Sequence, residues 1–253
     1  MDNPELQGRY WDHITEQPPA IADAVQLILA VLPTDVRATF SFQDALDAGC
    51  GAGDYAAGLA QAGLRSVTAF DVSVGRMHLA IDKTPSGRFS QASMSELPYR
   101  SESFDLVWAW GILHYVPDPI AALHEVARTL RPGGVVLIHT LRRGFWARFE
   151  FSTANVLSRT PRWMQNVLLA IGERVIALTS RLITGHRPAD QTDKTVRQKM
   201  QERLFVPAKM SMFSLGELAS GLGSDFEVSE VPAPVTDLLK RNMSVTVVAR
   251  KRH

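Results

Sequence analysis

Leu46-Asp47-Ala48-Gly49-Cys50-Gly51-Ala52-Gly53-Asp54-Tyr55 is the stretch whose reading decides the fold. A short apolar lead-in, Ala45 and Leu46, runs into an acidic residue, three alternating glycines and a helix-like pattern at Tyr55, Leu59 and Ala60. That order reads as a β-strand, a tight turn and the start of a helix. Glycines at alternate positions remove side chains where the backbone turns sharply and let a ligand approach the main chain. The ligand would rest on the open N–H groups at the helix start, outside the carboxyl end of the strand. The loop therefore predicts a nucleotide-type cofactor site.

A dinucleotide fingerprint, G-x-G-x-x-G, would require glycine at position 54, where this chain has Asp54. The spacing is instead G-x-G-x-G, preceded by Asp47. Downstream, Ser66-Val67-Thr68-Ala69-Phe70-Asp71 reads as a second strand ending in a carboxylate. An acid about 20 residues after such a loop is the usual acceptor for ribose hydroxyls.

Further blocks follow in order across residues 45–140: Glu96-Leu97-Pro98-Tyr99, Ser103-Phe104-Asp105-Leu106-Val107, Leu113-His114-Tyr115-Val116 and Leu130-Arg131-Pro132-Gly133-Gly134. With the glycine loop and Phe70-Asp71, they make the chain resemble the class I S-adenosylmethionine-dependent methyltransferases. The branch it resembles is the small-molecule one that includes the quinone-biosynthesis type. The resemblance implies S-adenosyl-L-methionine as cofactor. Its methionyl part would lie over Asp47, Gly49, Gly51 and Gly53, and its ribose on Asp71, with Val72 following. The family usually has an aspartate for the adenine amino group four residues before the Leu-Pro pair; here that position is Ser93. A serine hydroxyl also accepts a hydrogen bond, without a carboxylate's charge assistance, and the Met94 backbone would share the task.

At 253 residues the chain is long enough for one α/β domain with an insertion, or for two small domains. A 45% hydrophobic and 21% charged composition is that of an ordinary globular protein. The formal net charge of +1 exerts no global pull towards nucleic acid or membrane. One cysteine, Cys50, excludes an internal disulfide framework and suits a reducing compartment. With no signal pattern and no apolar run of membrane-spanning length, the expectation is a cytoplasmic protein. No internal repeat or metal-ligand motif is visible.

Strand–helix alternation organises most of the chain: strand 44–48, helix 54–62, strand 66–70, helix 75–82, a short strand near 88–91, strand 104–109, helix 119–130 and strand 134–140. Such alternation implies a parallel sheet with right-handed crossovers and helices on both faces. Pro132-Gly133-Gly134 is expected as a breaker and turn before the strand at 134. The last strands, 226–231 and 244–249, complete a doubly wound, mostly parallel, seven-stranded Rossmann-like sheet with an antiparallel last strand. The predicted organisation is an N-terminal segment and cofactor-binding core at 1–141, a helical cap insertion at 142–210, and the end of the core sheet at 211–253.

Tyr10 and Trp11 either pin an N-terminal segment onto the domain or, as the resemblance implies, fold over the cofactor towards the acceptor. Trp108 is a core residue, whereas Trp110, at a strand's carboxyl end, is a candidate for the pocket wall. His114 is the candidate catalytic residue. It either fixes its loop by hydrogen bonding, or takes a proton from or orients an acceptor hydroxyl. Tyr115 and His139 are candidates on the same rim.

Residues 142–210 carry thirteen basic and five acidic side chains, an excess of about eight positive charges. Met164, Val167, Leu168, Ile171, Val175, Leu178 and Leu182 form a helical apolar stripe within them. Three readings stand: a cap over the acceptor pocket, an interfacial helix on an anionic membrane surface, or an oligomer interface such as a homodimer's. The expected function is methyl transfer to a small, hydrophobic metabolite or natural-product intermediate, with an anionic or lipidic acceptor in view and nucleic acid not. The alternatives are a non-methylating enzyme of the same fold, catalysing cyclisation or rearrangement, and a non-catalytic cofactor-binding partner subunit.

Overall fold

The computed structural model describes residues 20–144, 160, 161, 164, 167, 210–231 and 244–253. The chain divides into two compact units, Met1–Arg143 with Met210–His253, and Gly144–Lys209. In the second, the Met164 amide donates to the Pro161 carbonyl at 2.9 Å. The rest of the cap expectation, and Tyr10 and Trp11, lie outside the described residues.

The first unit holds helices α1 (Ile21–Val31) and α2 (Thr34–Arg37), strand β1 (Asp44–Ala48), helix α3 (Asp54–Gln61), strand β2 (Ser66–Asp71), helix α4 (Val74–Lys83), and strands β3 (Arg88–Gln91) and β4 (Phe104–Trp110). Helix α5 (Pro119–Thr129), strand β5 (Leu130–Leu141), helix α6 (Leu215–Leu222) and strands β6 (Phe226–Glu230) and β7 (Ser244–Lys251) follow. They build a seven-stranded sheet in the order β3-β2-β1-β4-β5-β7-β6. β1 to β5 pair in parallel, and β7 runs antiparallel to both β5 and β6.

Local chemistry sets the helix ends. Pro119 occupies the first turn of α5, where its missing N–H costs nothing, and the Asp118 carboxylate accepts from the Ala121 amide at 3.0 Å. In α6, Ser214 and Glu217 form a reciprocal capping box. Alternation along the strands then sorts the core onto two faces. Leu46, Ala48, Val107, Ala109, Val136 and Ile138 lie on the first, with Val126 of α5 and Leu218 of α6. Ala45, Val67, Ala69, Leu106, Trp108 and Leu137 lie on the second, with Ile28 of α1 and Leu59 of α3. Full burial of one such leucine or isoleucine side chain is worth about 2 kcal/mol.

Pro132-Gly133-Gly134 corrects one expectation. The strand begins at Leu130, and the breaker is absorbed as a bulge, because Phe104 pairs with Leu130 but Leu106 already pairs with Val135. The bulge lets Arg131 reach two carboxylates, Asp105 at 2.6 Å and Asp44 at 3.2 Å. Burial opposes charge on Asp44, but hydrogen bonds from Ser66, Arg65 and Arg131 hold its carboxyl down at about 2. Charge pairing thus ties the amino ends of β1, β4 and β5 together, at the sheet edge opposite the glycine loop.

Arg142 and Arg143, counted with the basic insertion by sequence, are paired within the first unit. Arg142 meets Glu230 and the Ser244 carbonyl, and Arg143 meets Glu217 at 2.8 Å and the Met212 carbonyl.

Candidate active site

The glycine loop leaves the carboxyl end of β1 with three left-handed residues, Gly49 (φ +69°), Gly51 (φ +52°) and Gly53 (φ +82°). Space forbids a side chain as firmly as the torsion does. A Cβ on Gly49 would stand 2.6 Å from Ile112 Cγ1, and one on Gly53 would stand 2.5 Å from Ala80 Cβ. Gly53 caps α3, so the loop delivers its amides at a helix start. Asp71 closes the arrangement from β2. The Gly51 amide donates to Asp71 Oδ2 at 2.7 Å and the Ser73 amide to Oδ1 at 2.9 Å. Burial raises the Asp71 carboxyl, while these amides and the Arg76 guanidinium act against that rise. Asp54, which breaks the dinucleotide pattern, is fastened to Lys83 at 2.7 Å. Cys50 is buried and its thiol is pushed up by that burial, so it is a space-filling residue and not a nucleophile.

Beside the loop, a cleft is lined by Gly49, Asp71, Val72, Ser93, Met94 and Tyr115, all six singled out by sequence. Ile112, Val116 and Pro117 line it too. These were missed because apolar residues after a strand carry no chemical signal of their own. Ser93 Oγ accepts from the Ser95 amide at 3.3 Å, so the hydroxyl is partly engaged by its own turn. Met94 is buried in the first-face core at the wall of the cleft.

On the second face the carboxyl end of the sheet carries an aromatic wall. Trp108 and Trp110 stack at 5.4 Å with planes 10° apart, and Trp110 stacks on His139 at 4.0 Å, also at 10°. Tyr55 leans on both tryptophans, at 5.4 and 6.0 Å. Trp110 is thus in this stack and not among the residues lining the cleft. Asp47, in register with Trp108, is 2% exposed. Asp47 Oδ2 and Trp108 Nε1 are both buried without a hydrogen-bond partner. Burial, and then the charge of Asp71, push the Asp47 carboxyl up to about 8.

The two candidate histidines belong to opposite faces. His114, 9% exposed, lies against Tyr115, and its Nδ1 is a long 3.3 Å from Thr140 Oγ1. Burial and then the neighbouring His139 lower its pKa to about 3. His139 is half-buried, its Nδ1 is 2.8 Å from Thr246 Oγ1, and burial lowers its pKa to about 4. Both rings are neutral at pH 7.

Comparison with known proteins agrees with this geometry. A family described as "Methyltransferase domain" matches residues 46–138. The chain is 39% identical over 95 residues to a 27-O-demethylrifamycin SV methyltransferase of Amycolatopsis mediterranei, covering 35% of each chain. It is 39% identical over 104 residues to a ubiquinone biosynthesis O-methyltransferase of Alkalilimnicola ehrlichii, covering 39% of this chain and 41% of that one. The chain therefore spans about two-fifths or less of the length of these relatives. A solved SAM-dependent methyltransferase from Thermotoga maritima shares the fold, with a TM-score of 0.53 at 16% identity, over 92% of this chain and 90% of that one.

The cofactor of this fold family is S-adenosylmethionine, and the residues present fit it. Gly49 lines the cleft without a side chain of its own, so its main chain is open to a ligand there. A buried carboxyl oxygen without a partner, on Asp47, suits a cationic amino-acid moiety, and the Asp71 carboxylate at the cleft suits ribose hydroxyls. Residues 46–138 match the methyltransferase-domain family, and over this stretch the chain is similar to small-molecule methyltransferases.

Proposed function

We propose that the protein transfers a methyl group from S-adenosyl-L-methionine to a small, largely apolar acceptor. The observation that carries this reading is the glycine loop strapped to Asp71, opening on a cleft at the carboxyl edge of the sheet. The bound cofactor supplies an electrophilic methyl on a sulfonium, whose departure leaves a neutral thioether, so no general acid is required. The chain's own task is alignment and exclusion of water. Asp71 holds the ribose, the glycine loop carries the methionyl part, and the main chain at Ser93 and Met94 receives the adenine. Asp47 attracts the amino-acid end, and its aromatic neighbours keep that end dry. His114 serves its loop through Thr140 and Tyr115. The named relatives are methyltransferases, so the non-methylating and partner-subunit readings are not favoured.

Product analysis tests this. Incubation with S-adenosylmethionine and a pool of hydroxylated acceptors should give S-adenosylhomocysteine and methylated product in equal amounts. Acceptor turnover without S-adenosylhomocysteine would contradict methyl transfer.

A further inference from the structure

The stack that ends in His139 is more than packing. Ring stacking on Trp110 fixes the plane of the imidazole, and Thr246 on the neighbouring strand fixes its rotation through Nδ1. With Nδ1 engaged, Nε2 is the ring's remaining polar atom, and His139 is half-buried where β4 ends. Two independent restraints on a ring with one nitrogen left over describe a presented hydrogen-bonding group. His114 differs in each respect: it is on the other face, more deeply buried, and held by a long contact to Thr140.

We propose that His139 is the residue that receives the methyl acceptor, hydrogen-bonding a hydroxyl at Nε2 beside Trp110, so that the acceptor is a hydroxylated, apolar molecule and not a carboxylate. This rests on the methyl-transfer reading above. The chemistry around the ring selects the class. A hydroxyl can both donate and accept, and so it pairs with a neutral imidazole in either tautomer. A carboxylate only accepts, and it would have to give up the solvation of its charge against a wall of aromatic rings. The aromatic rings offer apolar surface to the body of the acceptor. Thr246 is a positioning residue, acting on the acceptor only through the ring.

The test uses the full chain labelled with 15N-histidine and saturated with S-adenosylhomocysteine, with catechol and benzoate as probes. Side-chain resonances are assigned with His139→Gln and His114→Gln; should either variant fail to fold, His139→Phe, which keeps the ring stack, or His114→Asn replaces it. Catechol should move the His139 nitrogens and leave those of His114 in place, and benzoate should move neither. Thr246→Val should weaken the catechol response about tenfold, as expected for one hydrogen bond, and Thr246→Ser should restore it. If S-adenosylhomocysteine binds but catechol moves only His114, or neither ring, the assignment to His139 is wrong. If benzoate moves His139 as catechol does, the acceptor class is wrong. If S-adenosylhomocysteine itself does not bind, the methyl-transfer reading fails first.

Discussion

The Gly51 amide donates to Asp71 Oδ2 at 2.7 Å, across 20 residues of sequence. One carboxylate at the end of β2 therefore shapes the loop on β1, while the same carboxylate lines the cleft. Asp71→Ala should weaken S-adenosylhomocysteine binding by about 100-fold, since it removes a charge-assisted anchor as well as a ligand contact. Asp71→Asn, which keeps one acceptor oxygen, should lose less. Calorimetric titration of the three proteins gives the comparison, and equal affinities would refute the dual role.

Gly53 and Gly111 separate steric exclusion from backbone strain. Both have positive φ, +82° and +75°, but a Cβ on Gly53 would meet Ala80 Cα at 2.6 Å, whereas one on Gly111 would meet nothing within 4 Å. Gly53→Ala should cost about 3 kcal/mol and Gly111→Ala about 1 kcal/mol in urea unfolding. A Gly111→Ala cost equal to that of Gly53→Ala would show that torsion alone governs the loop.

Asp47 couples stability and binding to pH. Burial holds its folded pKa at about 8, far above the ordinary carboxylate value of about 3.8 that it regains on unfolding. The folded state therefore holds a proton that the unfolded state has lost, and stability from this group falls as pH rises between those values. Asp47→Asn should accordingly raise the melting temperature by about 5 °C at pH 8 and change it far less at pH 4.

The same residue should release a proton when a cation settles beside it. Titrating S-adenosylhomocysteine, which carries the amino-acid ammonium, at pH 7 in buffers of different ionisation enthalpy should show proton release. The release should be absent in Asp47→Asn. Uptake or no exchange in the parent protein would place the ammonium elsewhere.

Much of this was legible in the sequence. Asp47, the three glycines and Asp71 are spaced by the strand–turn–helix geometry that brings them together, so local pattern sufficed. Trp108 was readable as core from its place inside a strand. The Pro132-Gly133-Gly134 bulge was not, because a breaker signal carries no information about Arg131 reaching Asp44 and Asp105 on other strands. Trp110 lies at the strand end where a pocket was expected. Its ring was claimed by His139 on the next strand, a pairing set by register. His139 and Thr140 are consecutive and so face opposite sides. That parity is visible in sequence, but the partner Thr246, 107 positions away, is not.

The most direct test of the central claim is hydrogen exchange with and without S-adenosylhomocysteine. Bound S-adenosylhomocysteine should slow exchange at the amides of the glycine loop, at Val72 and Ser73, at Ser93 and Met94, and across 112–115. Protection that spares the glycine loop and Asp71, or protection there by a nicotinamide dinucleotide and not by S-adenosylhomocysteine, would contradict it.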